Sequence, residues 1–526
     1  MAVLSSAVLY FFGVAPILRS CLYYRVNAFH TFRITRSTLS SRTNARFLFS
    51  SQPTSSLFPV AGPADIPELP TDDNYRSKDD DAYQQMGAWV PVGSISCLEG
   101  LDPIKLILMG RQFVVWKSAP STWSVLTDTC PHRMAPLSLG RIDPVTNCLE
   151  CSYHGWQFDR NGKLQSIPQL GTSNKSKNNE NVDLLQADSR SVQAFPVHTT
   201  GDLLWVFLPT SFHGESFPRS LVPEDYYHGL TDFVLQEATF YSQDLPFSFD
   251  FLVENGLDGP AHAYFAHHGL GFDRSQAGPI PCSLPVSNFT ELISEVSYRR
   301  KGTMRVRRYG FQRPFLVTNQ QPTPSGGWQT AIIFFAIPIR EGYSRIITTF
   351  DTLAPHPRTP EWLLHIFNQK ILEGDLMVHN AEITIRNRQV VLPEYIHASS
   401  SDASCKAWRT WWTKYGLSAA PPNTFGPASA NNVRQQQRHE LVDPWDSHTK
   451  HCSKCRNVLQ RAKLIQKAAW AIVWSSLALC RKKSRLAGTL GIVGALSSWI
   501  AGRLIRELQG ASNKSEVGDR TYSASR

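Results

Sequence analysis

Two short Cys-His pairs, Cys130-Pro131-His132 and Cys151-Ser152-Tyr153-His154, are the residues of this chain best suited to holding metal. Structural zinc sites usually pair cysteines at short spacing and add a later pair of histidines, so four similar donors surround one ion. Here each turn supplies one thiolate and one imidazole. That donor set suits a sulfur-bridged cluster with two unlike irons, Cys130 and Cys151 holding one and His132 and His154 the other. Neutral imidazoles in place of two thiolates raise the reduction potential. Pro131 stiffens the first turn, Gly155 lets backbone come close to the cluster, and Trp156 shields it from water. A single zinc is the alternative. Cys148 is a further thiol nearby, but only Cys151 has a histidine at the right offset. Cys148 is therefore expected to be a small buried apolar residue.

Such a cluster moves one electron and leaves oxygen chemistry to a second site. The stretch ENGLDGPAHAYFAHHG, Glu254 to Gly269, supplies His262 and His267 with four residues between them. Two imidazoles and one carboxylate form a facial triad that leaves open positions on Fe(II) for O2 and water. Asp258 lies four before His262, on the same face if the segment is helical, and can fix the tautomer of that ligand. His268 is the alternative to His267.

The first stretch resembles the Rieske motif, C-x-H followed by C-x2-H, of Rieske non-haem iron oxygenases, with eighteen residues between His132 and Cys151. The second resembles the N-x-x-D-x2-H-x4-H motif of the same family through Asn255, Asp258, His262 and His267. It departs from the pattern at Gly259, which makes the Asp-to-His gap three residues instead of two. The resemblance runs from about Trp89 to Cys455. It is closest to the plastid branch that contains pheophorbide a oxygenase, the translocon-associated Rieske protein of the inner envelope and a protochlorophyllide-oxidising relative. Three features carry it: CPHRMAPLSLGRI with YHGWQFD and IPQL, the HHG ending of the iron motif, and Cys452-Ser453-Lys454-Cys455 just before paired apolar segments.

Several expectations follow from the resemblance. ILEGDLMVHNAE matches the family's late acidic helix and implies Asp375 as the carboxylate ligand, with Glu373 second. Asp258 is implied to bridge the two centres across a subunit boundary of a homotrimer. The cofactors implied are a Rieske 2Fe-2S cluster and a mononuclear Fe(II), with ferredoxin as electron donor and O2 as co-substrate. The substrate implied is a chlorophyll-derived tetrapyrrole, through ring opening of pheophorbide a or hydroxylation of a related catabolite. One alternative is side-chain oxidation in chlorophyll synthesis; another, of a different class, is a non-catalytic redox or import-associated subunit. The Cys452/Cys455 pair is either half a zinc site with His448 and His451 or a dithiol exchanged by thioredoxin. Its place beside the apolar segments suits regulation.

The elements that must position these residues read as an α+β chain. A β-rich Rieske domain is expected over 87–210 and an α+β catalytic domain over 211–446, the latter alternating strands such as Thr330–Ile339 with helical stretches such as Glu361–Ile383. The polar loop Gly171–Asp183 inside the first unit has no reason to pack. A CxxC segment (447–463), apolar membrane segments (464–505) and a polar tail (506–526) follow. Residues 1–64 form a targeting presequence and 65–86 an acidic linker. The apolar run Ala2–Leu18 and the Ser/Thr/Arg-rich segment after it resemble a two-part address of a plastid bounded by extra membranes, the alternative being a single presequence or anchor.

Charge supports this division. Residues 1–64 carry +6 and residues 447–526 carry +12 of the total +10, leaving a body of −8. An acidic body with basic ends argues against a nucleic-acid platform. Ten cysteines over 526 residues are too sparse for a disulfide scaffold. Ala468–Cys480 and Leu486–Ile505, separated by the basic RKKSR, are expected to anchor the chain in a membrane, the first crossing or lying in the interface. Two buried amphipathic helices are the alternative.

Overall fold

The computed structural model describes residues 87–101, 103–170, 190–209, 223, 227, 239–267, 272–340, 342–349, 359–387, 398–416, 443–480 and 485–510. The expected presequence and linker, the loop Gly171–Asp183, His268 and most of the C-terminal polar tail lie outside these residues.

Three small antiparallel sheets build the first unit. The first holds β1 (Ala88–Ser94), β10 (Val197–Thr200) and β11 (Leu203–Leu208), the second β2 (Ile104–Leu108), β3 (Arg111–Ala119), β4 (Thr122–Thr127) and β9 (Ala194–Phe195). The third joins β5 (Arg141–Ile142), β6 (Leu149–Glu150), β7 (Gln157–Phe158) and β8 (Leu164–Ser166). β11, LLWVFL, is buried at every position because it runs between β1 and β10 with both faces covered. The β2–β3 hairpin turns through Met109 and Gly110, whose φ values of 50° and 73° match a two-residue turn with left-handed central residues. That turn docks on the second unit: Met109 N donates to Pro338 O at 2.8 Å and Gly110 N to Ile339 O at 2.6 Å.

The second unit is a seven-stranded antiparallel sheet in the order β12-β18-β17-β16-β15-β14-β13. Its strands are Tyr241–Leu245, Cys282–Ser287, Glu291–Arg300, Thr303–Gln312, Leu316–Pro322, Trp328–Arg340 and Tyr343–Thr348, numbered β12 to β18. β14 alternates buried and part-exposed residues, as a strand with one packed face must. Helices α1 (Phe249–Asp258), α2 (Pro260–Ala266), α3 (Glu361–Gly374), α4 (Met377–Asn387) and α5 (Ala403–Trp411) accompany the sheet. One apolar core runs through both units, with Trp205 against Tyr227 and Phe335 at centroid distances of 5.6 and 5.3 Å. A smaller core of Val114, Trp116, Leu126, Leu149 and Phe158 lies under the Cys-His turns.

The single helix expected over Glu361–Ile383 is two, because the chain turns at Asp375 and Leu376 between α3 and α4. From Ser453 on, the CxxC segment and the first apolar segment, by contrast, are one element, α6 (Ser453–Cys480), with Cys452 just before it. It packs antiparallel to α7 (Arg485–Gln509) through small residues: a Cβ on Gly494 would come within 3.0 Å of Ala469 O, and one on Gly502 within 2.8 Å of Gln466. Among the described residues one helix, Leu486–Gln509 with mean hydropathy 1.3, is long and apolar enough to cross a membrane.

Candidate metal centres and active site

The two Cys-His turns share one local design. The N–H of each cysteine donates to the carbonyl five residues on, Cys130 to Ala135 and Cys151 to Trp156, both at 2.9 Å. Each cysteine carbonyl accepts from the amide four residues on, Met134 at 2.9 Å and Gly155 at 3.0 Å. That fourth residue is left-handed in both turns, with φ of 56° at Met134 and 72° at Gly155. Gly155 has a local reason in this turn. It permits the turn, and a side chain there would strain against Pro168, 3.0 Å from the Cβ position.

Backbone amides of His132 and Arg133 hydrogen-bond the Cys130 sulfur, and those of Tyr153 and His154 the Cys151 sulfur. The hydrogen bond from Cys130, and then those amides, bring the Cys151 thiol down to about 6 against the opposing effect of burial. Both thiols are buried while both imidazoles are partly exposed, with ring centroids 4.4 Å apart. His132 stacks on Trp156 at 4.6 Å, and its Nδ1 is buried with no hydrogen-bond partner. A buried orphan imidazole nitrogen beside paired thiols fits a metal ligand. Cys148 is buried, and its thiol lies against Thr146.

The second centre is assembled at a break between helices. α1 ends at Asp258, Gly259 takes φ 61°, and α2 starts at Pro260, so the segment is not the continuous helix that would put Asp258 and His262 on one face. Gly259 has no room for a side chain, since a Cβ would lie 2.8 Å from the Tyr309 ring. The kink still returns Asp258 to His262, with Oδ2 at 3.0 Å from Nδ1, which leaves Nε2 free of that contact. Asp375 comes in from the turn after α3. Its Oδ1 lies 3.3 Å from His267 Nε2 and 3.8 Å from His262 Nε2.

His262, His267 and Asp375 thus place three donor atoms within 4.8 Å of one another. Gly374 makes this approach possible, because a Cβ there would lie 2.9 Å from Ala266 O and 3.0 Å from His267 Nδ1. Asp375 Oδ1 is buried and makes no hydrogen bond, although the side chain of Asn255 hydrogen-bonds the carboxylate. Burial raises the Asp375 carboxyl, with His262 and His267 pulling the other way. For His262 burial acts downward, but the Asp258 hydrogen bond and the charge of Asp375 outweigh it and raise the imidazolium. Burial lowers His267. A divalent cation held by the three would give the orphan carboxylate oxygen a positively charged partner. Glu373, the second choice, turns away to accept from Gln369 Nε2 at 3.2 Å.

Known proteins resemble both halves. Residues 88–195 match the Rieske [2Fe-2S] domain and residues 311–389 match the pheophorbide a oxygenase family. Pheophorbide a oxygenase of Oryza sativa subsp. japonica is 27% identical over 448 residues, covering 78% of this chain and 79% of that one. The chloroplast protochlorophyllide-dependent translocon component 52 of Arabidopsis thaliana is 28% identical over 72% of this chain and 74% of its own. Flavonoid 8-hydroxylase 2 of Ocimum basilicum is 27% identical over 77% and 79%. The chain carries a Rieske [2Fe-2S] domain and is similar over most of its length to oxygenases of the pheophorbide a oxygenase branch.

Cys130, His132, Cys151 and His154 of the Rieske domain would hold the [2Fe-2S] cluster, and His262, His267 and Asp375 would hold a mononuclear metal ion. A cavity of about 340 Å³ opens on His262, His267 and Asp375. Its walls include Phe247, Phe272, Tyr298, Tyr309 and Phe334, with the cations Arg300 from β14 and Arg307 from β15. Sequence reasoning missed Cys405, whose half-buried side chain places its thiol 3.5 Å from Asp258 Oδ1 and backs the carboxylate that orients His262. No local motif marks it, because α5 approaches the site only through tertiary packing. His451, paired with His448 on sequence, instead faces Asp244 and Arg345.

Proposed function

We propose that this oxygenase uses O2 and ferredoxin-derived electrons to oxygenate a chlorophyll-derived tetrapyrrole in a plastid membrane, with ring opening of pheophorbide a or hydroxylation of a related catabolite as the reaction. The observation that carries this reading is the aromatic-walled cavity ending on His262, His267 and Asp375. A flat apolar macrocycle is held by such walls, and its reacting edge meets the three donors. His262, His267 and Asp375 would hold an iron whose chemistry is oxygen activation, and Cys130, Cys151, His132 and His154 would hold the Rieske cluster that supplies its electrons. The chain's own part is positional. Asp258 keeps the proton on His262 Nδ1, so that Nε2 offers a lone pair. Phe272 and Tyr309 exclude water beside the reacting edge.

The names of the relatives support the substrate class, and their chloroplast location supports the plastid. The outward apolar side chains of α6 and α7, among them Trp470, Trp474, Leu477, Ile492, Leu496 and Trp499, support membrane attachment. A homotrimer that brings one subunit's Rieske turns to the next subunit's iron completes the proposal. The test is anaerobic reconstitution with ferredoxin and a panel of chlorophyll derivatives, followed by 18O2 and product mass. Incorporation of labelled oxygen into a tetrapyrrole that disappears in His262→Ala and His267→Ala is expected. Label incorporation unaffected by both substitutions overturns it, as does reduction of the cluster without any oxygenated product.

A further inference from the structure

A second set of metal-type donors lies away from the oxygen site, where α3, the segment before α6 and the start of α6 meet. His365, His448, Cys452 and Cys455 place one donor atom each within 4.8 Å of one another, and all four side chains are at most 5% exposed. We infer that these four residues hold a structural zinc ion that fastens the C-terminal helical hairpin to the body of the oxygenase.

The distances fit one tetrahedral ion. With Zn–N near 2.05 Å and Zn–S near 2.3 Å, the N···S edge of a tetrahedron is about 3.5 Å. Cys455 Sγ lies 3.3 Å from His448 Nε2 and 3.4 Å from His365 Nδ1, and Cys452 Sγ lies 3.6 Å from His365 Nδ1. The tautomer of His448 fits as well. Its Nδ1 is 2.7 Å from the Ser242 carbonyl, which only accepts, so Nδ1 carries the proton and Nε2 turns its lone pair toward the sulfurs. Two cysteines and two histidines with no open position make a closed site of the structural kind, unlike the triad at His262, His267 and Asp375. Without a cation these groups would rest on weak S–H contacts in an apolar pocket of Trp445, Leu459 and Leu508.

Burial also separates this site from a dithiol switch. Cys452 and Cys455 are 1% and 0% exposed, out of reach of another protein's thiolate in the folded chain. The ion would sit where three parts converge: His365 belongs to α3, Cys455 to the first turn of α6, and the Cys97 thiol of the Rieske domain hydrogen-bonds Cys452. Lys454 extends the seam, donating to Ser96 Oγ at 2.8 Å and pairing with Glu361.

The test is metal analysis with zinc-edge X-ray absorption on the full detergent-solubilised chain, purified anaerobically without added zinc. About one zinc per chain beyond the iron is expected, with two sulfur and two nitrogen neighbours. Cys455→Ser should lower zinc by about tenfold or more and keep the reduced Rieske resonance at full intensity. Three results overturn the inference: wild-type chain with its iron but no zinc, zinc surrounded only by oxygen and nitrogen, or a Cys452–Cys455 disulfide in the native chain that reduced thioredoxin opens.

Discussion

Asp375 and Asp258 act on the same imidazole from opposite sides, and the two substitutions should separate. Asp375→Asn keeps the shape but removes the charge from a buried oxygen that has no hydrogen bond. Bound iron should fall from about three to about two per chain, with turnover at background and the Rieske resonance intact. Asp258→Asn leaves all three donors and loses the group that fixes His262, so iron affinity or turnover should fall roughly 10–100-fold. Acidity offers a further check. The raised His262 imidazolium competes with metal at a higher pH than an ordinary histidine would, so iron retention should weaken as pH falls through neutrality. Asp258→Asn should move that loss to lower pH, because it removes the largest raising influence on His262. At this scale the sequence was readable where chemistry fixes spacing, as in the two Cys-His turns and the x4 gap of His262 and His267. It could not show that His365 joins Cys455, 90 positions away, since nothing local records which helix packs there.

The helices matter to the site mainly through where they stop. Gly374 ends α3 against Ala266 and His267, so Gly374→Ala should push α3 away, costing about 1–3 kcal/mol of stability and most of the mononuclear iron. The break at Asp375 escaped helical periodicity, while Gly259-Pro260 marks the other as a local breaker; contacts with His267 and Tyr309 fix their geometry. α1 is fixed from a distance as well: Glu382 of α4 accepts from Ser248 N at 2.8 Å and Ser248 Oγ at 2.6 Å, tying the Asp375 side of the site to the His262 side. Glu382→Ala removes the buried carboxylate that accepts from both Ser248 groups and should cost about 1–3 kcal/mol in denaturant unfolding. On the sheet, Arg345 grips Asp244 through 2.7 and 3.1 Å hydrogen bonds between β18 and β12. Burial would raise the Asp244 carboxyl, but Arg345 outweighs it and holds the folded value low. That contribution is complete above the unfolded value of about 3.9 and is lost as pH falls through the lower folded value. Unfolding midpoints of wild type and Arg345→Ala should therefore converge in acid and differ most near neutrality.

Over the whole molecule, a metal-bearing body meets an apolar hairpin at one buried seam. The order of units was legible because ligand spacing, strand alternation and uncharged runs are local signals; the docking of the β2–β3 turn on β17 was not, because it is made by backbone groups. Small residues face inward between α6 and α7 and large apolar ones face out, the arrangement of helices paired in lipid. Each fully buried large side chain contributes roughly 1.5–3 kcal/mol, so replacing Trp474, Leu477, Leu496 and Trp499 together with Ser should shift the chain from vesicle-bound to free in flotation. The most direct measurement is electron paramagnetic resonance of the anaerobically reduced chain before and after nitric oxide. Two signals are expected, the rhombic resonance of the reduced Rieske cluster and a separate high-spin iron-nitrosyl signal that tetrapyrrole perturbs and Asp375→Asn abolishes. A Rieske resonance alone, or a nitrosyl signal that survives Asp375→Asn unchanged, would contradict an oxygen site built from His262, His267 and Asp375.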